Sequence, residues 1–580
     1  MHKRAFPMFL VLLLANAVLS GCATTAQPSR YDPLDRESRL LGKFLSGRFA
    51  ERAIDPDGAQ RAYAEGLKDA PGNPILLEGA LVAALSAGDT QGAVVIARAA
   101  HADREVTPLA TLISAADALA KGKPKQALGL VQGFRGSVLD EASARLLSAW
   151  AFAALGEKEA ALAAIAEADP RLRSAGLGGL LDDQAALLYS YFGNFARAIE
   201  GFDLAGGSPL RLPGTSLRYA QAQSALGHAD LALAILSGRN FHGSDGQILL
   251  AAQRLRAGEP LGPPLRPQEG AALGITAFAI AFSESYSSAN YLPYVTIARI
   301  ADPGNDELRL IAAEAHRQLG NEAATSGALA GISPTSPYAR GADIQRAFLL
   351  QSQGDLDGAI ALAQRAAQSE DRAALATLAG LLRQDERWEM AKGVYDRLIA
   401  GAPAPDWTLF YLRGTALERL KRWPEAEADL YKALGLEPEQ PDVLNYLGYS
   451  WVEQGINLEK ALALLERAVQ LQPEAGHILD SLGWANFRLR RLDKALDLLE
   501  EAVTRLPGDV TVNDHLGDVY WAMGRRREAG FQWQRALIAA KDEEAQALRQ
   551  KLKEKGIGQE ARIGAAAPTV PANAASVAKP

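Results

Sequence analysis

At 580 residues the chain is too long for one ordinary globular core, and chains of this length either divide into domains or extend as repeats. Its composition is helical: Ala and Leu dominate, aromatic residues make up 7%, charged residues 22%, and runs of β-branched residues are scarce. A formal net charge of −7 without a large Lys/Arg cluster excludes the basic face that a phosphate backbone requires, so no nucleic acid partner is expected.

Residues 1–22 read as an export signal. His2, Lys3 and Arg4 form a basic head, and Phe6 to Leu19 form a mostly apolar stretch too short to span a bilayer comfortably. The stretch ends in Leu19-Ser20-Gly21-Cys22, and Cys22 is the only cysteine in the chain. That run resembles the lipobox of bacterial lipoproteins. The resemblance implies acylation of the Cys22 sulfur, removal of the preceding peptide and a lipid anchor, several acyl chains holding far more firmly than one. Ala23 follows, where retention in the inner membrane often uses Asp, which implies a lipid-anchored, periplasm-facing location on the outer membrane of a Gram-negative source. Residues 23–39 are expected to be a flexible tether.

From 40 to 257 a beat of 34 residues is audible. Ala59, Ala93, Ala127 and Ala161 keep it; Ala198 follows after 37 and Ala232 after 34 again. Gly88, Gly122, Gly156, Gly193 and Gly227 run in step and are expected to turn one helix into the next. A Pro/Gly-rich run at 258–270 cannot continue a helix and reads as a seam. Beyond it, Ala271 to Ile300 has apolar content without a clean signature and reads as a degenerate helix pair.

The section 271–540 ends in the clearest repeats. Gly414, Gly448, Gly483 and Gly517 recur every 34 or 35 residues, together with Ala426, Ala461, Ala495 and Ala529 and with Pro438, Pro473 and Pro507. The pattern describes a helical hairpin: Gly where the two helices approach closely, Ala where the second helix packs on both sides, Pro where it stops. Residues 541–556 are charged and helical in pattern, as a capping helix should be, and 557–580 are expected to be disordered.

The stretch Val443-Leu-Asn-Tyr-Leu-Gly-Tyr, followed by Glu459-Lys-Ala-Leu-Ala-Leu-Leu-Glu-Arg-Ala-Val and Leu471-Gln-Pro, resembles the tetratricopeptide repeat family. The resemblance implies an all-α fold, a right-handed superhelical solenoid of helix hairpins, here in two sections. Such a stack works through its surfaces. No His-Glu-x-x-His, cysteine-based metal spacing or phosphate-cradling loop occurs, and the seven histidines are scattered. No catalytic residue, cofactor or metal is therefore expected.

Counting from the periodic glycines places Asn445, Tyr449, Asp480, Trp484, Asp514, Asp518 and Trp521 on the concave face lined by the first helix of each hairpin. Seven of the eight tryptophans lie at or after Trp388, and Trp484 and Trp521 suit either a peptide anchor or a gap between helices. Trp451 and Trp533 suit the gap. The face is acidic and aromatic, unlike carboxylate-clamp grooves, which need Lys and Arg.

The runs Ile478-Leu-Asp-Ser-Leu-Gly-Trp and Val512-Asn-Asp-His-Leu-Gly-Asp-Val-Tyr-Trp, joined to the lipobox and the long array, resemble outer-membrane repeat lipoproteins that serve periplasmic C-terminal processing proteases as adaptors. The resemblance implies a non-enzymatic scaffold whose partners are such a protease and its substrates, cell-wall (peptidoglycan) hydrolases among them. The other reading is a scaffold for assembling an envelope machine for secretion, polysaccharide export or division.

Overall fold

The computed structural model describes residues 33–557 except 54, 103–105, 168–169, 175, 207–211, 238–245, 284–287, 370, 403 and 405. Cys22, the residues around it and the expected disordered segment from 558 onward lie outside the described residues. Those described are all-helical and divide into two compact units, Met1–Ala366 and Ala367–Pro580. The boundary falls after the seam, not at it.

In the first unit α1 (Pro33–Arg52) pairs with α2 (Pro56–Asp69), α3 (Pro74–Ser86) with α4 (Thr90–Ala102), and α5 (Pro108–Ala120) with α6 (Pro124–Val131). Next come α7 (Val138–Ala154) with α8 (Lys158–Ala166), the short α9 (Pro170–Ser174), α10 (Gly178–Tyr191) with α11 (Phe195–Leu204), and α12 (Pro213–Ala225) with α13 (Ala229–Leu236). The turn glycines Gly88, Gly122, Gly156, Gly193 and Gly227 all have positive φ, and the alanines that keep step with them, Ala59 through Ala232, are fully buried. The helical start at Pro33 corrects the expected tether of 23–39. Proline is suited to the first helical position, and Leu40, Phe44 and Ala50 give the helix a face that packs on Tyr63.

At α14 (Gly246–Arg256) the pattern changes. It ends in the left-handed turn at Gly258 as its predecessors do, but Pro260, Pro263 and Pro264 remove the donors a second helix would need. In place of that helix an irregular, bent run leads to α15 (Pro267–Ser283), which pairs with α16 (Ser288–Ala301). Gly270, assigned to the seam, thus lies within the first turn of α15.

This hairpin does not simply continue the stack. It lies across the first helices of the earlier pairs, α15 against α7 and α10, and α16 against α3 and α5. Gly270 sits so close to the buried Trp150 that a Cβ there would be 2.2 Å from the indole, and a Cβ at Gly274 would be 2.6 Å from Gln184 Oε1. The Thr296 hydroxyl donates to Leu85 O (2.8 Å) and the Tyr294 hydroxyl to Asp140 Oδ1 (2.7 Å). At the seam, buried Arg218 donates to Pro263 O (2.6 Å) and to Glu269, fastening both ends of the crossover to α12. The unit then resumes with α17 (Asp306–Gln318) and α18 (Glu322–Ala330), and α19 (Ala339–Ser352) with α20 (Leu356–Ala366).

One carboxyl group in this unit titrates far from its ordinary range. Glu307 is 2% exposed, accepts from Gly214 N–H (3.3 Å) and lies 3.2 Å from the Tyr338 hydroxyl, which is also 2.7 Å from Gln247 Oε1. Burial pushes Glu307 up to about 7. Tyr338 has one proton for two acceptors, and a protonated Glu307 donating to the hydroxyl oxygen satisfies all three groups. Folding therefore takes up a proton between about 4.5 and about 7, and stability falls as pH rises through that window. Glu307→Gln keeps a donor and an acceptor without the charge. It is expected to raise stability at pH 8 by up to about 3 kcal/mol, from about 1.36 kcal/mol per pKa unit, and to change little at pH 4. Urea unfolding at the two pH values measures this.

The second unit begins with a short 3₁₀ turn and runs through α21 (Arg372–Gln384) with α22 (Trp388–Ala400), α23 (Trp407–Arg419) with α24 (Trp423–Leu436), and α25 (Pro441–Gln454) with α26 (Leu458–Leu471). It closes with α27 (Gly476–Arg488) and α28 (Leu492–Arg505), α29 (Val510–Ala522) and α30 (Arg526–Ala539), and the single α31 (Asp542–Glu554). Gly448, Gly483 and Gly517 lie where paired helices nearly touch: added Cβ atoms would meet Leu465 at 2.9 Å, Leu499 at 2.7 Å and Trp533 at 2.4 Å. The alanines opposite them, Ala461, Ala495 and Ala529, are fully buried.

Candidate protein-binding face

In the second unit the first helices of successive pairs touch one another, α25 against α27 and α27 against α29, so their side chains form one continuous surface. Each helix is set by local chemistry: Pro441 opens α25, and the Asp509 carboxylate caps α29 by accepting from Val512 N–H (3.0 Å). The repeat spacing then brings Asp480 of α27 under His515 of α29. His515 Nδ1 lies 3.0 and 3.1 Å from the two Asp480 oxygens, and the pair is buried, at 7% and 5% exposed.

The Trp484 indole stacks on the His515 ring, with centroids 4.0 Å apart and planes within 8°, and on Phe487 at 4.9 Å. Its Nε1–H donates to Glu453 Oε1 (2.6 Å), and Tyr449 stands 6.5 Å from the imidazole. Burial alone would lower the His515 pKa. The Asp480 carboxylate, helped by Asp514 and Glu453, raises it on balance. Burial, with Glu453 and Asp480 nearby, pushes the Tyr449 hydroxyl up, so it stays a neutral donor. Asn445 is half-buried on the same helix as Tyr449, and its amide oxygen has no hydrogen-bond partner among the described residues.

The remaining expected residues gather around α31. Lys551 Nζ lies 2.6 Å from Asp514 Oδ1 and 2.9 Å from Asp518 Oδ1, and the Trp533 indole donates to Asp518 (3.1 Å). Lys555 and Arg526 sit over the Trp521 ring, 5.1 and 5.4 Å from its centroid. The seven residues thus form two groups: Tyr449, Asp480 and Trp484 around His515, with Asn445 on α25, and Asp514, Asp518 and Trp521 under the C-terminal helix. Trp451 and Trp533 are buried between helices.

His515 escaped the sequence reading because it looked like one of the scattered histidines. Its signal was its place two residues before the periodic Gly517, on the helix facing Asp480. Further along the unit, Tyr446 donates to Glu418 (3.1 Å) and meets Tyr411 edge-on at 5.7 Å, extending the aromatic and acidic character. The corresponding face of the first unit is covered by α15 and α16. No group of three or more His, Cys, Asp or Glu side chains able to hold a metal occurs among the described residues.

Paired helices of this size, stacked with close glycine contacts and buried alanines, define a helical-hairpin repeat protein. The tetratricopeptide repeat family model matches residues 377–442 and 452–510, so this part of the chain is built of tetratricopeptide repeats, and the described fold is the all-helical stack of hairpins that such repeats form. No curated protein matches the chain. Among solved structures it is similar to a tetratricopeptide repeat protein from Parabacteroides merdae, with 16% identity over 43% of this chain and 98% of that one and a TM-score of 0.39. It is also similar to the APC/C Cut9–Hcn1 hetero-tetramer, at 15% identity over 90% of this chain and 99% of that one, TM-score 0.37. Yeast Tom70 matches at 13% identity over 91% and 97%, TM-score 0.35. Its function follows from the class: the chain is a repeat scaffold for protein–protein interaction.

Proposed function

We propose that the protein is a lipid-anchored adaptor without catalytic chemistry of its own, which holds a periplasmic C-terminal processing protease and presents substrates such as peptidoglycan hydrolases to it. The observation that carries the reading is the Tyr449–Trp484–Glu453 surface over the buried Asp480–His515 pair: a half-buried aromatic platform with a carboxylate at its edge, on rigid helices. Such a platform suits an apolar or basic peptide segment, with the indole as anchor. The lipobox-like run ending at Cys22 supports the membrane attachment.

The test is a pull-down from native envelope with the full chain and a Trp484→Ala variant. A processing protease and a wall hydrolase are expected together with the parent, and binding of both is expected to be weaker by about thirtyfold or more with the variant, since anchor residues of this kind carry roughly 2 kcal/mol or more. Purified protein should also speed the protease's turnover of the hydrolase. Partners drawn only from an assembly machine, with no effect on proteolysis, would replace this reading with the envelope-scaffold one.

A further inference from the structure

The first helix, α1, presents two faces. Its inner face packs on α2 and α3: Ala50 is buried, Phe44 packs 6.4 Å from the buried Tyr63, and a Cβ on Gly47 would meet the Tyr63 ring at 2.5 Å. Its outer face carries Leu41, Leu45 and Phe49, four residues apart and therefore one stripe, at 56%, 56% and 76% exposed. Nothing in the described structure covers them.

Charge distinguishes this stripe from an ordinary unpartnered helix face. The chain as a whole is acidic at −7, but α1 holds Arg36, Arg39, Lys43, Arg48 and Arg52 against Asp35, Glu37 and Glu51. Arg48 and Arg52 follow Leu45 and Phe49 by three residues each and so stand beside them on the helix surface. Glu51 turns inward, accepting from the Tyr63 hydroxyl (2.8 Å) and from Arg48 (2.6 Å). Phe44, Leu45, Phe49 and Arg52 together line a shallow depression on this side. No described helix is long and apolar enough to cross a bilayer.

We infer that α1 is a membrane-surface helix: its Leu41–Leu45–Phe49 stripe seats in the interface of an anionic bilayer while the arginine heads reach the phosphates. The inference rests on the proposed Cys22 anchor in one respect. Residues 23–32 join Cys22 to α1, and ten residues reach at most about 36 Å, so an acylated Cys22 confines this face to the neighbourhood of the bilayer. A second contact beside the anchor would fix how the repeats stand on the membrane, which a lipid on a free tether does not.

The test uses the chain starting at Ala23, which retains every described residue and lacks the apolar leader and the anchor. It is expected to co-sediment with phosphatidylglycerol/phosphatidylethanolamine vesicles, and less with phosphatidylcholine vesicles. Leu41→Ser/Leu45→Ser/Phe49→Ser should cut binding at least about tenfold with unchanged Tm, these side chains lying outside the core. Arg52→Glu should weaken binding to the anionic vesicles alone, and salt should do the same. Equal sedimentation of parent and triple variant, or none by the parent, overturns the inference. So does a triple variant that turns a dimer into a monomer without altering vesicle binding, which would assign the stripe to a second copy. The anchor is read separately, from the mass of full chain extracted from membranes: an unmodified Cys22 ends that reading and leaves the vesicle result standing.

Discussion

Gly270→Leu is expected to unseat the α15–α16 hairpin and to destabilise the first unit by roughly 3 kcal/mol or more, at the upper end of overpacking costs. Even the first carbon of the new side chain would lie 2.2 Å from Cζ2 of Trp150, and that indole is fully buried and held by Gln184 (3.2 Å). Neither side can yield easily. Trp150 projects from α7 and is fully enclosed by its neighbours, and the start of α15 and the run before it are fixed by Arg218 through Glu269 and Pro263. Thermal unfolding measures the loss, and new chymotryptic cleavage after Leu265, a buried residue of the seam, would show that the hairpin has lifted. An unchanged Tm would mean that α15 does not rest on α7.

Asp480→Ala is expected to cost about 3 kcal/mol below pH 6, within the range for breaking a buried ion pair, and to cost less as the solution becomes alkaline. The direction follows from His515. Its folded pKa is raised above the ordinary 6.5, so the stabilisation from its charged form is fully present below 6.5 and is lost as pH rises through the folded value. His515→Gln should remove the same pH dependence, because no proton is then taken up at this position on folding. Denaturant titrations of the three proteins from pH 5 to 9 decide it. A pH-independent difference between parent and Asp480→Ala would mean that His515 stays neutral and the contact is an ordinary hydrogen bond.

The repeat period was legible because it is written in residues whose size is the requirement. Ala93 or Ala461 fills a site with no room for more, and Gly483 has a leucine 2.7 Å from where its Cβ would be, so these positions cannot drift without loss. The turns were legible only where glycine makes them. In the second unit Gly455 and Gly524 keep the left-handed turn position, but in the other three hairpins it passes to Glu386, Lys421 and Arg490, with φ of 54°, 60° and 62°, and nothing about those side chains announces a turn. The proline run announced that α14 lacks its second helix. It could not announce where the chain goes next, because Gly270, Gly274 and Thr296 acquire meaning only against residues far upstream.

The candidate face shows the same division. Counting from the glycines located the helices that form it, but a count cannot tell a carboxylate facing solvent from one with a partner. Asp480 is taken by His515, and Asp514 and Asp518 by Lys551, each from a different helix. The partners lie about one repeat period away or on α31, beyond the reach of a local pattern.

The covering of the first unit's inner face also bears on how the chain comes apart. In a stack of repeats each pair touches only its neighbours, so stability is a sum of adjacent couplings and unfolding can begin at an end and travel. The second unit is built that way, from α21 to α31. The first is not, since the Thr296 hydroxyl bonds Leu85 O across 211 residues of sequence, and α15 and α16 join four earlier pairs to one another. Loss of any one of those pairs removes support from the strap that holds the others. The first unit is thereby made all-or-none, slow to assemble because its contacts are distant in sequence, while the second can yield one hairpin at a time.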